Sequence, residues 1–329
     1  MPRQEELRFR AGDVTLAGEL VLPDDPPAPG SRYPNALLLA SWLPRDRDGR
    51  LDAVGHPEWF PAPGPRTPDR HGRGLLGRIA DALAAEGVAS LRYDKRGCAQ
   101  SEGSWPEADL FTVIDDARDA LAAMRARPDL DLARTGILGH GEGAAVAMSV
   151  VIGDPAIGPL TLIGASARSY RDVFRRSVAT RLGRAGVEPA SLVRAIDAWS
   201  EEIVERAERR EPWMDLPVGD RALRLSLRGW EQAFHTPPRA LATMLDRSVT
   251  LVQPRADETV HPDEALLLAA GLTGSGRQPP RVLAVQAAHD LAEADGQVIA
   301  EIARDFASRL APRPLPPVLL AISEPDERR

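Results

Sequence analysis

The chain has 329 residues, of which 43% are hydrophobic and 27% charged, and its formal net charge at pH 7 is −7. This composition is globular and leaves disorder only for the chain ends. The single cysteine, Cys98, excludes an internal disulfide framework and leaves a thiolate zinc or iron–sulfur site without ligands, so we expect no metal and no cofactor. The arginines are scattered among acids and form no basic patch, which argues against a nucleic-acid partner.

The N-terminal segment and the lengths of the apolar runs bear on the localisation of the protein. Residues 1–10 are charged and contain no apolar run of signal-peptide length, and no segment approaches the ~20 apolar residues of a membrane span. We therefore predict a soluble, cytoplasmic protein with no membrane partner. The sequence does not indicate an oligomeric state.

Short apolar runs bounded by turn residues alternate with helical patterns along the chain. Leu75, Leu76, Ile79 and Leu83 recur at helical spacing, and Gly87 ends that helix. Alternation of this kind builds a mostly parallel sheet with helices on both faces, an α/β fold. The predicted strands are Val14–Leu22, Asn35–Ala40, Val88–Tyr93, Thr135–Leu138, Thr161–Ile163, Val249–Val252 and Val282–Val285, and the clearest helices between them are Gly74–Glu86 and Leu110–Arg127.

Between residues 165 and 247 the short apolar runs typical of strands are absent, and the sequence is charged with helical patterns. Ser191–Arg209 and Asp220–Phe234 are the predicted helices of this segment. We interpret it as a helical lid inserted after the sixth strand, with a second independent domain as the alternative. The predicted organisation is a core of residues 1–164 and 248–310, a lid of residues 165–247, and a proline-rich, charged tail of residues 311–329.

Three local stretches carry a resemblance to a known family. They are Leu37–Gly49 (LLLASWLPRDRDG), Leu91–Gly103 (LRYDKRGCAQSEG) and Gly136–Ala144 (GILGHGEGA). Each is similar to a motif of the α/β-hydrolase superfamily, in particular its bacterial esterase and dienelactone-hydrolase-like branch. The resemblance implies an α/β-hydrolase fold, whose catalytic groups follow one another in the chain order nucleophile, acid, histidine.

The third stretch resembles the nucleophile elbow, a sharp strand-to-helix turn that needs small neighbours. Gly139 and Gly143 supply them, but Gly141 stands where the family has its serine. Without a hydroxyl at position 141 no acyl-enzyme forms there, so the sequence predicts no labelling by serine-directed probes and little esterase activity.

The remaining catalytic groups are implied by their places after the later strands. Asp257 follows the strand Val249–Val252, where the family has its acid, although Pro254 replaces a glycine of that turn. His289 follows the last strand, where the family has its histidine; Asp290 then intervenes before an apolar residue. We therefore predict His289 and Asp257 as the catalytic residues.

The resemblance also implies an oxyanion site made of backbone N–H groups. One is the N–H of Glu142 at the start of the helix after the elbow, and another comes from the loop after the second predicted strand. Ser41, Trp42 and Leu43 stand there in place of the family's Gly-Ser-Gly, and the bulky pair suggests a reshaped pocket or, for Trp42, a core position. Glu142 itself is predicted to be structural rather than a second base.

Other reactive side chains receive structural interpretations. Cys98 is considered as a surrogate nucleophile but replaces an ordinary small residue of the family loop, and His140 is taken as a structural part of the elbow. The other histidines have no ligand spacing, and the run Asp46–Asp48 is expected to fix its loop by ion pairs rather than to bind a metal. Those histidines are His56, His71, His235 and His261.

A histidine oriented by a carboxylate remains a general base, and proton abstraction needs no covalent nucleophile. We therefore predict an enzyme in which His289 removes a C–H or O–H proton from a small-molecule, natural-product intermediate. Elimination of a small acid such as acetate, or a cyclisation, fits this chemistry. The open alternatives are hydrolysis by activated water, a non-catalytic binding protein descended from an esterase, and a hydrolase inactivated by a natural or engineered serine-to-glycine change.

Overall fold

The structure is a computed structural model that describes residues 2–56, 73–184, 189–211, 213–218, 221–227, 237–273 and 279–311. Eight strands form the main sheet, in the spatial order β1-β2-β4-β3-β5-β6-β9-β10. Their bounds are β1 Arg3–Ala11, β2 Val14–Leu22, β3 Tyr33–Leu39, β4 Ala89–Tyr93, β5 Leu130–His140, β6 Ile157–Ile163, β9 Val249–Pro254 and β10 Arg281–Val285. Strands β1, β2 and β4 are paired antiparallel, and all pairings from β4 through β10 are parallel.

Helices cover both faces of this sheet, as the sequence predicts. One buried cluster joins the sheet to α1 and α8, and the other joins it to α2, α3 and α7. The central parallel strands β6 and β9 are buried on both faces, which explains their continuous apolar runs. The helices are α1 Leu75–Ala85, α2 Leu110–Arg125, α3 Glu142–Ile152, α4 Tyr170–Arg184, α5 Pro189–Glu208, α6 Pro238–Ala242, α7 Glu264–Thr273 and α8 Gly296–Ser308.

The first strand is not among the predicted elements. β1 pairs with β2 along its whole length at the edge of the sheet, and its side chains are mostly exposed; Phe9 and Ala11 are buried. An edge strand with one solvated face carries charges at alternate positions, so it has no apolar run to reveal it.

The segment between β6 and β9 differs in content from the predicted helical lid. α4, α5, the antiparallel hairpin of β7 (Trp213–Val218) and β8 (Arg221–Ser226), and α6 lie between β6 and β9. The predicted helix Asp220–Phe234 is wrong where β8 runs, because Arg221–Ser226 pairs antiparallel with β7; residues 228–236 lie outside the described part. A lid role for residues 165–247 and the division into domains stay predictions.

Within the described ranges, no helix combines the length and apolar character needed to cross a bilayer. Of the predicted tail, only Ala311 belongs to the described residues.

An ion-pair network fixes the loop after β3. Arg92, 1% exposed, lies between Asp48 (Nε–Oδ1 2.9 Å) and Glu19 (Nη2–Oε1 2.6 Å). Arg47 contacts the buried Asp94 through Nη2 and Oδ2 at 2.7 Å. The charges of the Asp46–Asp48 run therefore hold the turn that follows β3 against β4, which positions the residues described next.

Candidate active site

The turn between β5 and α3 has the geometry of a nucleophile elbow. Gly141, the single residue between the two elements, adopts φ 55° and ψ −116°, and its N–H donates to the carbonyl of Ile163 at 2.9 Å. A Cβ at Gly139 would lie 2.3 Å from the carbonyl oxygen of Gly143, so the small neighbours are required by the close approach of strand and helix. A glycine thus occupies a left-handed position that an elbow serine tolerates only under strain.

His289 and Asp257 meet beside this elbow. His289 Nδ1 lies 2.7 Å from Asp257 Oδ2, while Asp257 Oδ1 accepts the backbone N–H groups of Thr259 (2.8 Å) and Val260 (2.7 Å). The Asp257 side chain is completely buried and that of His289 is 12% exposed. Because the carboxylate only accepts, Nδ1 carries the proton of neutral His289 and Nε2 is left as the basic nitrogen.

The basic nitrogen of His289 points at the elbow. A Cβ built on Gly141 would lie 3.2 Å from Nε2, and the hydroxyl of Ser41 lies 3.4 Å from the same nitrogen. The structure therefore brings Gly141, Asp257 and His289 together, with Ser41 as a fourth member. Gly164, which the sequence analysis does not single out, also belongs here, since a Cβ on it would lie 3.1 Å from His289 Nδ1.

Ser41–Leu43, here called the oxyanion turn, is tied to α3 by a buried lysine. Lys95 Nζ donates to the carbonyl of Ser41 at 3.2 Å and to Glu142 Oε2 at 2.9 Å. The Glu142 carboxylate is thus engaged in an ion pair, in keeping with its predicted structural role. Its backbone N–H lies in the first turn of α3, where no intrahelical acceptor exists, and remains the candidate oxyanion donor.

The other two residues of the oxyanion turn differ in conformation. Leu43 has φ 74°, a left-handed backbone that glycine adopts readily and leucine rarely. The Trp42 ring is only partly buried and lies 6.5 Å from that of Trp105. Strain at a non-glycine residue next to a candidate catalytic group is typical of functional sites.

A second tie connects the oxyanion turn to the loop that carries His289. Arg45 Nε donates to the carbonyl of Trp42 at 2.9 Å, and its Nη2 lies 3.3 Å from Asp290 Oδ1. Burial is the largest single influence and raises the pKa of Asp290, but attraction to Arg45, His140 and His289 together outweighs it, and the net pKa falls to about 2. Asp290 is therefore ionised at neutral pH and fixes its loop.

His140 contacts both the backbone and the ring of His289. Its Nε2 donates to the His289 carbonyl at 3.1 Å, and the two rings lie 4.6 Å apart. Burial, together with repulsion from His289, lowers the pKa of His140 to about 3, so it stays neutral near pH 7. This agrees with a structural role rather than acid–base chemistry.

The remaining histidines have varied surroundings. His56 is buried, with Nε2 2.8 Å from the carbonyl of Gly97, whereas His261 is exposed and paired with Asp263 at 2.8 Å. His71 and His235 lie outside the described residues.

Cys98 is expected to be an unreactive thiol. It is 1% exposed, its Sγ lies 3.9 Å from His56 Nε2, and burial raises its pKa to about 12. Iodoacetamide at pH 8 should therefore leave the native protein unmodified, because the thiolate is the reactive form. After unfolding in urea the same thiol should react fully, as measured by intact mass. Stoichiometric modification of the native protein with loss of activity would instead return Cys98 to the list of nucleophiles.

Comparisons with known proteins agree with this architecture. The family model of the serine aminopeptidases, S33, matches residues 71–209. The acyltransferase drtE of Aspergillus calidoustus is 32% identical over 114 residues, which are 32% of this chain and 37% of that relative. The matched part is thus little more than a third of the curated relative.

Solved structures match nearly the whole chain. The α/β-hydrolase GrgF from Penicillium sp. sh18 is 16% identical with a TM-score of 0.60, covering 94% of this chain and 99% of its own. Est1E from Butyrivibrio proteoclasticus, solved with ferulic acid, is 13% identical with a TM-score of 0.60, covering 92% and 98%. At these identities the likeness concerns the fold.

The sheet order, the elbow and the positions after β9 and β10 define an α/β-hydrolase fold.

Proposed function

We propose that this chain is an enzyme that uses His289, held by Asp257, as a general base on a small-molecule intermediate, a natural-product ester or acyl compound. The observation that carries the proposal is the 2.7 Å contact between His289 Nδ1 and the buried Asp257 carboxylate, which leaves Nε2 facing the elbow. The reaction is the elimination of a small acid such as acetate, or a cyclisation.

The site's electrostatics support proton abstraction. A buried carboxylate stabilises the imidazolium that forms when Nε2 takes a proton, and the low-dielectric surroundings strengthen that interaction. The first turn of α3 offers the Glu142 N–H to the negative charge that develops on an enolate, a carboxylate or a carbonyl oxygen.

A binding protein has no chemical need for the oriented pair of His289 and Asp257, so this pair favours an enzyme over a non-catalytic binder. The relative drtE is called an acyltransferase, which supports a reaction that involves an acyl group. The organised surroundings of the pair likewise favour a working site over a hydrolase that has lost its function.

The test begins with a panel of acetylated and ester-bearing natural-product intermediates, with products followed by mass spectrometry. His289→Ala should lower turnover of the substrate so identified by about 10²- to 10⁴-fold, the usual contribution of a positioned base, with little change in substrate affinity. The control His261→Ala removes an exposed imidazole that pairs with Asp263 and should keep parent turnover. Parent turnover in His289→Ala would contradict the proposal.

A further inference from the structure

We propose that Ser41 supplies the catalytic hydroxyl of this site, so that Ser41, His289 and Asp257 act together as a triad. This inference rests on the proposed function and deepens it, because it assigns the site to acyl transfer through a covalent intermediate. In the family pattern the oxyanion turn begins with glycine and the elbow carries serine. In this chain Ser41 begins the turn and Gly141 occupies the elbow, so the two residue types have exchanged places.

The exchange is spatial as well as sequential. A Cβ built on Gly141 would lie 2.1 Å from the hydroxyl oxygen and 2.9 Å from the Cβ of Ser41. The Ser41 side chain therefore fills the space beside the elbow that an elbow serine would need. It reaches that space from the turn after β3, and a side chain at position 141 would require Ser41 to shift.

The hydroxyl of Ser41 is aimed at the base. Its Oγ lies 3.4 Å from His289 Nε2, and Ser41 is 5% exposed. In the described part of the chain, this hydroxyl has no second hydrogen-bond partner. A contact slightly longer than the ~2.6–3.2 Å of an engaged nucleophile and base is common before substrate binds.

Two contacts hold the backbone of the turn that carries the Ser41 hydroxyl. Lys95 holds the Ser41 carbonyl, and Arg45 joins the carbonyl of Trp42 to Asp290 in the histidine loop. Asp290 stands where the family has an apolar residue, and here it is the anchor of the second tie. Ser41, Gly141 and Asp290 are all departures from the family pattern, and all three meet around His289.

The chemistry balances as two acyl transfers. Ser41 Oγ attacks the carbonyl carbon of an ester or thioester while His289 Nε2 takes the hydroxyl proton. The bond to the leaving alcohol or thiol breaks, and the leaving group receives that proton. An acceptor hydroxyl then gives its proton to His289, attacks the acyl carbon and displaces Ser41, which regains its proton.

In this arrangement Gly141 leaves space for the substrate. With no side chain at the elbow, the substrate carbonyl can lie over the start of α3, close to the Glu142 N–H. If the acceptor is a hydroxyl of the acyl chain itself, the product is a lactone, which is the cyclisation named above. If the acceptor is another molecule, the product is a new ester.

The experiment uses a fluorophosphonate probe, which needs a serine hydroxyl activated by a base and does not depend on the natural substrate. In place of the absence of labelling that Gly141 alone predicts, we expect stoichiometric labelling on the tryptic peptide of residues 33–45, in which Ser41 is the single serine. Ser41→Ala and His289→Ala should each lose at least about 10²-fold in labelling rate. The control Ser308→Ala removes a hydroxyl bonded to its own helix at 2.7 Å and should label like the parent.

The outcomes separate this inference from the proposed function. Labelling elsewhere, or labelling of Ser41 that survives His289→Ala, overturns the triad. An unlabelled protein that turns over its substrate and loses that turnover in His289→Ala also overturns it, while leaving the base mechanism intact. Thermal melting of each variant identifies any loss of labelling that comes from unfolding. Retention of parent turnover in Ser41→Ala would likewise exclude a covalent role.

Discussion

Replacing Asp257 with asparagine should lower turnover by about 10⁴-fold, the effect expected when the histidine is left in the wrong tautomer. The structure makes this outcome specific. The N–H groups of Thr259 and Val260 both donate to Oδ1, so the amide oxygen of asparagine must stay there. Its NH₂ group then points at His289 Nδ1 and can only donate. The imidazole must accept at Nδ1 and carry its proton on Nε2, where it is no longer a base.

The measurement compares Asp257→Asn with Asp115→Asn, which removes a 66% exposed carboxylate paired with Arg118 on α2 and should keep parent turnover. Substrate affinity and melting temperature of Asp257→Asn should stay close to the parent values, because the backbone hydrogen bonds to Oδ1 are retained. A variant with parent turnover would show that Asp257 does not set the protonation of His289.

The main features of the fold could be predicted from local patterns. Short apolar runs indicate the buried parallel strands β6 and β9, and the spacing of apolar residues indicates helix α1. The charged edge strand β1 could not be predicted in this way, because its partner β2 supplies the pairing and only one of its faces is buried. The sequence of the hairpin strand β8 predicts a helix instead, because this short segment lacks a strict polar–apolar alternation and consists largely of helix-favouring Arg, Ala and Leu residues.

Part of the candidate site could be predicted from the order of its residues along the chain. Gly141, Asp257 and His289 follow strands whose ends meet at one edge of the sheet, so their chain positions alone predict that they come together. The motif predicts Ser41 in the oxyanion turn, but the position of that turn depends on backbone contacts with Lys95 and Arg45 that no local pattern shows. The usable signal was the paired exchange of glycine and serine between two motifs about a hundred residues apart in the chain.

Substitutions at positions 41 and 141 can reverse the exchange of serine and glycine, singly or together. Gly141→Ser alone should be destabilised by about 1–3 kcal/mol, since its Cβ would lie 2.1 Å from Ser41 Oγ in a packed site. Ser41→Gly alone should lose fluorophosphonate labelling. The double variant Ser41→Gly, Gly141→Ser removes the clash and places a hydroxyl at the elbow, within reach of His289 Nε2.

We expect the double variant to recover stability relative to Gly141→Ser and to regain labelling, now on the tryptic peptide of residues 135–168. Its hydrolysis of p-nitrophenyl acetate should exceed that of Ser41→Gly by at least about 10²-fold, because His289 again has a hydroxyl to activate. The two substitutions should therefore be strongly non-additive, as expected for side chains that compete for one space. If Gly141→Ser alone melts like the parent and labels as well as the double variant, Ser41 does not occupy the nucleophile's space, and the exchange has no mechanistic meaning.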